Sequence, residues 1–238
     1  ASTTATTTTN QRTSGNFTTA RDASTGKSVT TQGTAILDMA GSEQTVGSNN
    51  GAATFSWKIF NCAIQQFDTS GISSTVTSLD LRMYGGYRVQ GSGWDSTNDI
   101  SLIMLKGNSE LDGTTSDWND FTGFTSGWDA DDVTEYSAEY IGSGSSSSTL
   151  NSIALNSTAK TDVQNENEVQ IIPVEYDEWY LNDFNSSVPT NATAERTFRG
   201  YGAGASSAFL RPTLIYEVEA ASGFGHKTLG VASANIGK

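Results

Sequence analysis

The apolar residues of this chain recur at every second position, and that period decides what it can fold into. Phe55, Trp57 and Ile59 alternate with polar neighbours, and so do Leu79, Leu81 and Met83. A strand sends successive side chains to opposite faces, so the alternation predicts half-buried β-strands. An amphipathic helix would need apolar residues three and four apart over ten or more positions. No long segment carries that spacing.

Strands are predicted over residues 34–39, 53–60, 77–84, 150–155, 196–201 and 213–218, with 63–67 continuing the second after a bend. Residues 100–105 are a more continuous apolar run and read as a central strand. Residues 169–174 read as a further strand. Pro173 within it implies an edge or a strand end, because proline has no N–H to give to a ladder. Residues 41–51, full of Gly, Ser and Asn, read as a loop. One or two helical turns are expected over residues 158–163, capped by Asn156 or Ser157. The whole predicts an all-β protein: a jelly-roll β-sandwich of about 8–10 antiparallel strands with extended N- and C-terminal tails.

Three regions follow from composition. Residues 1–27 form a polar N-terminal arm. Its run Thr6-Thr7-Thr8-Thr9 cannot bury enough apolar area to order itself, so it is read as a floppy terminus in an isolated protein or, in an assembly component, as an extended arm or leading strand ordered only by docking. Residues 28–219 are the sandwich. Residues 220–238 are a tail of small residues. Its Leu229, Val231 and Ile236 are read as the positions through which it packs against something else.

Charge narrows the partners. Acidic residues number 26 against 13 basic ones, a formal charge of −13. Nucleic acid demands a positive field, and no Lys/Arg cluster supplies one. An anionic membrane surface is disfavoured on the same ground, and no stretch approaches the roughly 20 apolar residues of a membrane span. The single cysteine, Cys62, cannot form an internal disulfide and is read as a small buried residue in a strand.

No catalytic constellation stands out, and the chain is expected not to be an enzyme. The single histidine, His226, lies in the Gly-rich tail, a poor place for a base that must be held within hydrogen-bond reach. Zinc spacing is absent, and no phosphate-loop lysine follows the glycines at 200–204. Two acidic runs sit beside aromatics: Glu175, Asp177 and Glu178, and Asp129, Asp131 and Asp132. A glycosidase would need two such carboxyls about 5–10 Å apart. The alternatives are solvated loop acids or, for Asp129, Asp131 and Asp132, oxygen ligands for calcium. Trp118, Trp128, Trp179 and Tyr180 are read either as rings on which a glycan stacks or as core and loop anchors.

Three segments in order carry a resemblance. They are Gln66-Phe67-Asp68-Thr69-Ser70-Gly71-Ile72 with residues 76–84, Ile153-Ala154-Leu155-Asn156 before a short helix, and residues 197–202 with Leu210-Arg211-Pro212-Thr213-Leu214-Ile215-Tyr216. Together they resemble jelly-roll domains found in bacterial carbohydrate-binding modules and in phage virion proteins. The tail, Phe224-Gly225-His226 and then Leu229-Gly230-Val231-Ala232-Ser233-Ala234-Asn235-Ile236-Gly237-Lys238, resembles segments that recur in structural proteins of marine bacteriophages. This chain has one copy of it, where those proteins often have more. The resemblance implies a virion structural protein: a capsid decoration, head-fibre or tail component. It would form a homo-oligomer and contact other virion proteins. The alternative it implies is a carbohydrate-binding module or a fibre domain that binds host glycan.

Overall fold

The computed structural model describes residues 3–11, 28–31, 37–49, 52–90, 101–108, 129–141, 149–176, 180–181, 193–201, 205, 207–219 and 229–230. These residues form twelve strands and one short α-helix. The strands are β1 (Thr3–Gln11), β2 (Ser28–Thr31), β3 (Leu37–Asn49), β4 (Ala52–Asp68), β5 (Val76–Gln90) and β6 (Ser101–Lys106). Then come β7 (Tyr140–Ile141), β8 (Leu150–Ala154), β9 (Glu168–Glu175), β10 (Thr193–Gly200), β11 (Thr213–Val218) and β12 (Leu229–Gly230). Helix α1 (Ser157–Asn165) joins β8 to β9.

The strands make two antiparallel sheets, an all-β sandwich. One sheet runs β12-β11-β5-β8. The other runs β10-β3-β4-β9-β6-β7, with β1 added on β4 and β2 on β1. Strand β5 belongs to both. Its first part, up to Tyr84, pairs with β11 and β8, whereas Gly85 to Gln90 pair with β10. The change of sheet falls at Gly85-Gly86, both buried. Strands that turn a sandwich corner bend sharply, and glycine serves there because it adds no side chain to crowd the bend.

The period-two reading of β5 is met in space. Leu79, Leu81 and Met83 lie on one face and are buried in the core with Phe67, Leu102, Met104, Ile153, Val169, Ile171, Phe198 and Leu214. Each such side chain contributes about 1.5–3 kcal/mol by leaving water. The continuous run in β6 is buried from Ser101 to Leu105. It lies between β9 and the two-residue β7, so it is one strand from the end of its sheet rather than at the centre. Pro173 stands opposite Met104, beyond Ile171, where the ladder to β4 ends. Proline therefore occupies the part of β9 with one strand neighbour.

Helix α1 starts where a cap was expected. Asn156 Oδ1 accepts from the Ala159 N–H at 3.1 Å, satisfying one of the unpaired donors of the first turn. Ala159 and Val163, four apart, face the core. The helix ends as Glu166 turns extended while its N–H still donates to the Asp162 carbonyl at 2.7 Å.

One loop expectation is overturned. The composition of residues 41–51 predicts a loop, but residues 37–49 form a single long strand paired with β4 from Asn49↔Ala52 to Ala40↔Cys62. The two residues between the strands are Asn50-Gly51, the dipeptide most favoured in tight hairpins. The polythreonine run lies in β1, which runs along β4 with Thr9 opposite Cys62.

Candidate functional site

Three polar or aromatic groupings could carry function, and each is assembled from distant parts of the chain. The first lies between β6 and α1. Lys106 Nζ sits 2.8 Å from Asp162 Oδ2 and 2.7 Å from Glu166 Oε1. The Tyr136 hydroxyl donates to the same Asp162 oxygen at 2.7 Å. Asp162 and Glu166 are one helical turn apart, so a single ammonium spans both. Burial pulls the Lys106 ammonium down, but the two carboxylate hydrogen bonds outweigh it and leave its pKa above the ordinary lysine value. Burial, and then the bond to Asp162, push the Tyr136 phenol far up. These groups are matched to one another, so the grouping reads as a clasp between strand and helix.

The second grouping holds four of the expected site residues. Tyr180 is 6% exposed. Its ring stacks on Tyr176, with centroids 5.5 Å apart and planes 17° apart, and its hydroxyl donates to Glu135 Oε1. Burial, followed by the bond to Glu135, holds the phenol above its usual range. A ring already stacked and buried offers no open face to a sugar. That placement fits the other of the two readings given to Tyr180 above, an anchor. Asp129, Asp131 and Asp132 are exposed on a turn. Asp129 Oδ1 accepts from the Asp131 N–H at 3.0 Å, and the Asp132 N–H donates to the Asp129 carbonyl at 3.2 Å. Aspartate commonly closes a turn in this way. Among the described residues no group of three His, Cys, Asp or Glu is arranged to hold a metal ion, so the calcium expectation finds no ligand set there. Trp118, Trp128 and Trp179 lie outside the described residues.

The third grouping went unread in the sequence. Phe209 sits on a 3₁₀ turn (Ala208–Leu210) and is 71% exposed. Its ring lies 4.8 Å from that of Tyr84 at 45°. Leu150, the cross-strand partner of Tyr84, is also exposed. The turn is fixed by Leu210 N–H to the Ser207 carbonyl at 3.0 Å and by Arg211 Nε to the carbonyl of buried Ala205 at 3.1 Å. Beside it, Asn151 Nδ2 donates to the Gly85 carbonyl at 2.9 Å, which ties β8 to the bend of β5. The result is an exposed aromatic and aliphatic corner on a rigid frame. Tyr84 and Phe209 are 125 positions apart, so no local pattern could have joined them.

The tail supplies a fourth feature, a strand addition. Leu229 and Gly230 pair with Glu217 and Tyr216 at the margin of the smaller sheet. Gly230 thus stands opposite Tyr216, which is half-buried and packs against the core. Val231 and Ile236 lie outside the described residues. No helix among the described residues is long and apolar enough to cross a membrane.

No protein-family model matches the chain, and no curated protein matches it either.

Proposed function

We propose that this chain is a structural component of a phage virion, a capsid decoration, head-fibre or tail protein that works through protein–protein contacts. The observation that carries the reading is the tail strand. The segment that resembles marine-phage structural proteins begins with a strand that adds to β11 at the margin of a sheet. Strand addition is a general means of joining chains, because the backbone bonds give affinity and the alternate side chains give fit. The polar clusters support it as well. Lys106 with Asp162 and Glu166, Tyr180 with Glu135, and Asp129 with its own turn all have internal structural partners. In this reading the protein resides in the extracellular particle, contacts other virion proteins and forms a homo-oligomer.

The test is the native mass by light scattering, with and without calcium. A trimer or larger closed oligomer is the expected result. A strict monomer under both conditions would sink self-assembly.

A second reading rests on Phe209 and Tyr84. Sugar-binding surfaces present aromatic faces on rigid supports, and the corner at Phe209 has both properties. The ligand would be a host-surface glycan, bound by the virion protein itself or by a carbohydrate-binding module. A glycan array with no response would remove this reading.

A further inference from the structure

We infer that the outer edge of β8 is a contact between two copies of this chain: β8 pairs antiparallel with β8 of a second copy about a two-fold axis at Ser152, joining their smaller sheets into one. The inference rests on the assembly reading above and names a contact for it.

The geometry of the edge comes first. Strand β8 pairs with β5, and no strand among the described residues pairs with its other side. The Gly85 N–H donates to the Thr149 carbonyl at 2.9 Å, and the Leu155 N–H to the Leu79 carbonyl at 2.9 Å. Pairs along an antiparallel ladder alternate between hydrogen-bonded and non-bonded. The register therefore makes Met83↔Asn151 and Leu81↔Ile153 the bonded pairs. Leu150, Ser152 and Ala154 fall in the non-bonded pairs, so their N–H and C=O groups face away from β5. Their side chains are exposed, whereas Asn151 and Ile153 are buried.

This edge lacks the usual guards. Sheet edges are kept from pairing by lysine, proline or a bulge. The strand Leu150-Asn151-Ser152-Ile153-Ala154 has no charge and no proline, and its ladder with β5 keeps one register throughout. Apolar side chains border it. Leu150 is exposed on the strand itself, and exposed Phe209 lies against Tyr84, the partner of Leu150. Exposed Ile141 follows Tyr140, whose hydroxyl donates to Asn151 Oδ1 at 3.1 Å.

The occupant is a second copy because the strand complements itself. Antiparallel pairing centred on Ser152 sets Ser152 opposite the partner's Ser152, and Leu150 opposite the partner's Ala154. These are the residues whose backbone faces the edge, so each pair exchanges both of its backbone bonds. An exposed leucine meets a small alanine at both ends, with no overhang. Charge favours the same place. The chain carries −13, so copies repel one another over much of their surface. At an uncharged strand two copies meet with no like charges directly opposite. A basic partner drawn by the net charge would find nothing on this strand to pair with. The contact is isologous and joins copies in twos.

The experiment uses the full chain with Ser152→Cys. Hydrogen-bonded partners in a ladder lie about 5.5 Å apart at Cα, within disulfide reach. After mild oxidation a covalent dimer is expected on a denaturing, non-reducing gel, with peptide masses placing the bond at 152–152 rather than at Cys62. Thr158→Cys, exposed on α1, is the control for chance collision. A dimer yield from Thr158→Cys equal to that from Ser152→Cys overturns the contact, and so does the absence of a 152–152 bond. Ser152→Lys is the second variant. It sets two ammonium groups face to face at the axis and leaves the ladder to β5 intact, because residue 152 is exposed and its N–H faces the edge. Its native mass by light scattering is expected to be half that of the unmodified chain, and an unchanged mass overturns the contact. The unmodified chain separates this inference from the one beneath it. An odd number of copies, such as a trimer, overturns the β8 contact alone, whereas a monomer overturns both.

Discussion

The Tyr136 hydroxyl donates a 2.7 Å hydrogen bond to Asp162 Oδ2, the same oxygen that accepts from Lys106 at 2.8 Å. Asp162 is on helix α1, Lys106 on β6, and Tyr136 on the segment that follows the Asp129 turn. The backbone repeats the join: Tyr136 N–H donates to the Met104 carbonyl at 2.7 Å, and Asn156 N–H donates to the Tyr136 carbonyl at 2.7 Å. One residue therefore holds strand, helix and connecting segment in a fixed relation.

That clasp, together with Tyr180, is expected to weaken the fold at alkaline pH. The Tyr136 and Tyr180 phenols and the Lys106 ammonium all titrate higher in the folded chain than their ordinary values of 10.0 and 10.5. Above about pH 10 the unfolded chain gives up protons that the folded chain retains, so stability falls as pH rises. Below that pH the contribution of all three is fully present. Urea midpoints are expected to be level from pH 7 to 9 and to drop by pH 11. Tyr136→Phe should make the drop shallower, because it removes one of the three groups. An equal drop in wild type and variant would place the alkaline loss elsewhere.

Gly107 is fixed by close approach. A Cβ there would stand 2.6 Å from the Cβ of Gln170 and nearer still to its amide oxygen. The Gly107 N–H donates to the Gln170 carbonyl at 3.1 Å, so the two backbones cannot part without losing that bond. Gln170 is itself buried. Gly107→Ala is expected to destabilise by about 1–3 kcal/mol, the usual cost of overpacking. The check is thermal or urea unfolding, with the fold followed by circular dichroism. A change under ~0.5 kcal/mol would mean that the strand ends separate freely.

Asn156 does two jobs with one amide. Its oxygen caps α1, and its nitrogen donates to the Glu135 carbonyl at 2.8 Å. Asn156→Ala should cost about 1 kcal/mol for the cap and somewhat more for the lost link to Glu135. Asn156→Asp keeps the acceptor and loses the donor, so it should recover the cap portion. Equal losses in both variants would assign the whole effect to the Glu135 link.

How far the sequence could be read depends on where the controlling contact lies. Leu79, Leu81 and Met83 are legible because alternation is local and burial on one face is its direct consequence. The cap at Asn156 is legible for the same reason. Strand β3 is legible only at its start, within the predicted strand 34–39; beyond it Gly41, Ser42, Gly47 and Ser48 have loop composition, which the pairing with β4 overrides. The better clue was positional: Asn50-Gly51 between two strands. Strand β1 has no apolar row of its own and pairs along β4. Of the candidate site, the acids and aromatics around 129–132 and 175–180 are visible in the sequence as two separate runs. Their use is not. Tyr180 is buried by Tyr176, four positions earlier, and by Glu135, 45 positions earlier.

The exposed corner is where stability and function come apart. Phe209 is 71% exposed, so its ring gives the fold little, and Phe209→Ala should shift stability by less than ~0.5 kcal/mol. Its contact with Tyr84 is tilted rather than enclosed, and the exposed face is free to meet a ligand ring. An aromatic contact of that kind is worth about 0.5–1.5 kcal/mol, or roughly two- to tenfold in affinity. If the corner binds sugar, Phe209→Ala should weaken a glycan-array signal by that factor while the native mass stays unchanged. If the corner is an assembly surface, the same variant should lower the native mass at fixed concentration and leave sugar binding as it was. Loss of stability instead, by more than ~1 kcal/mol, would make Phe209 a packing residue and withdraw it from both readings.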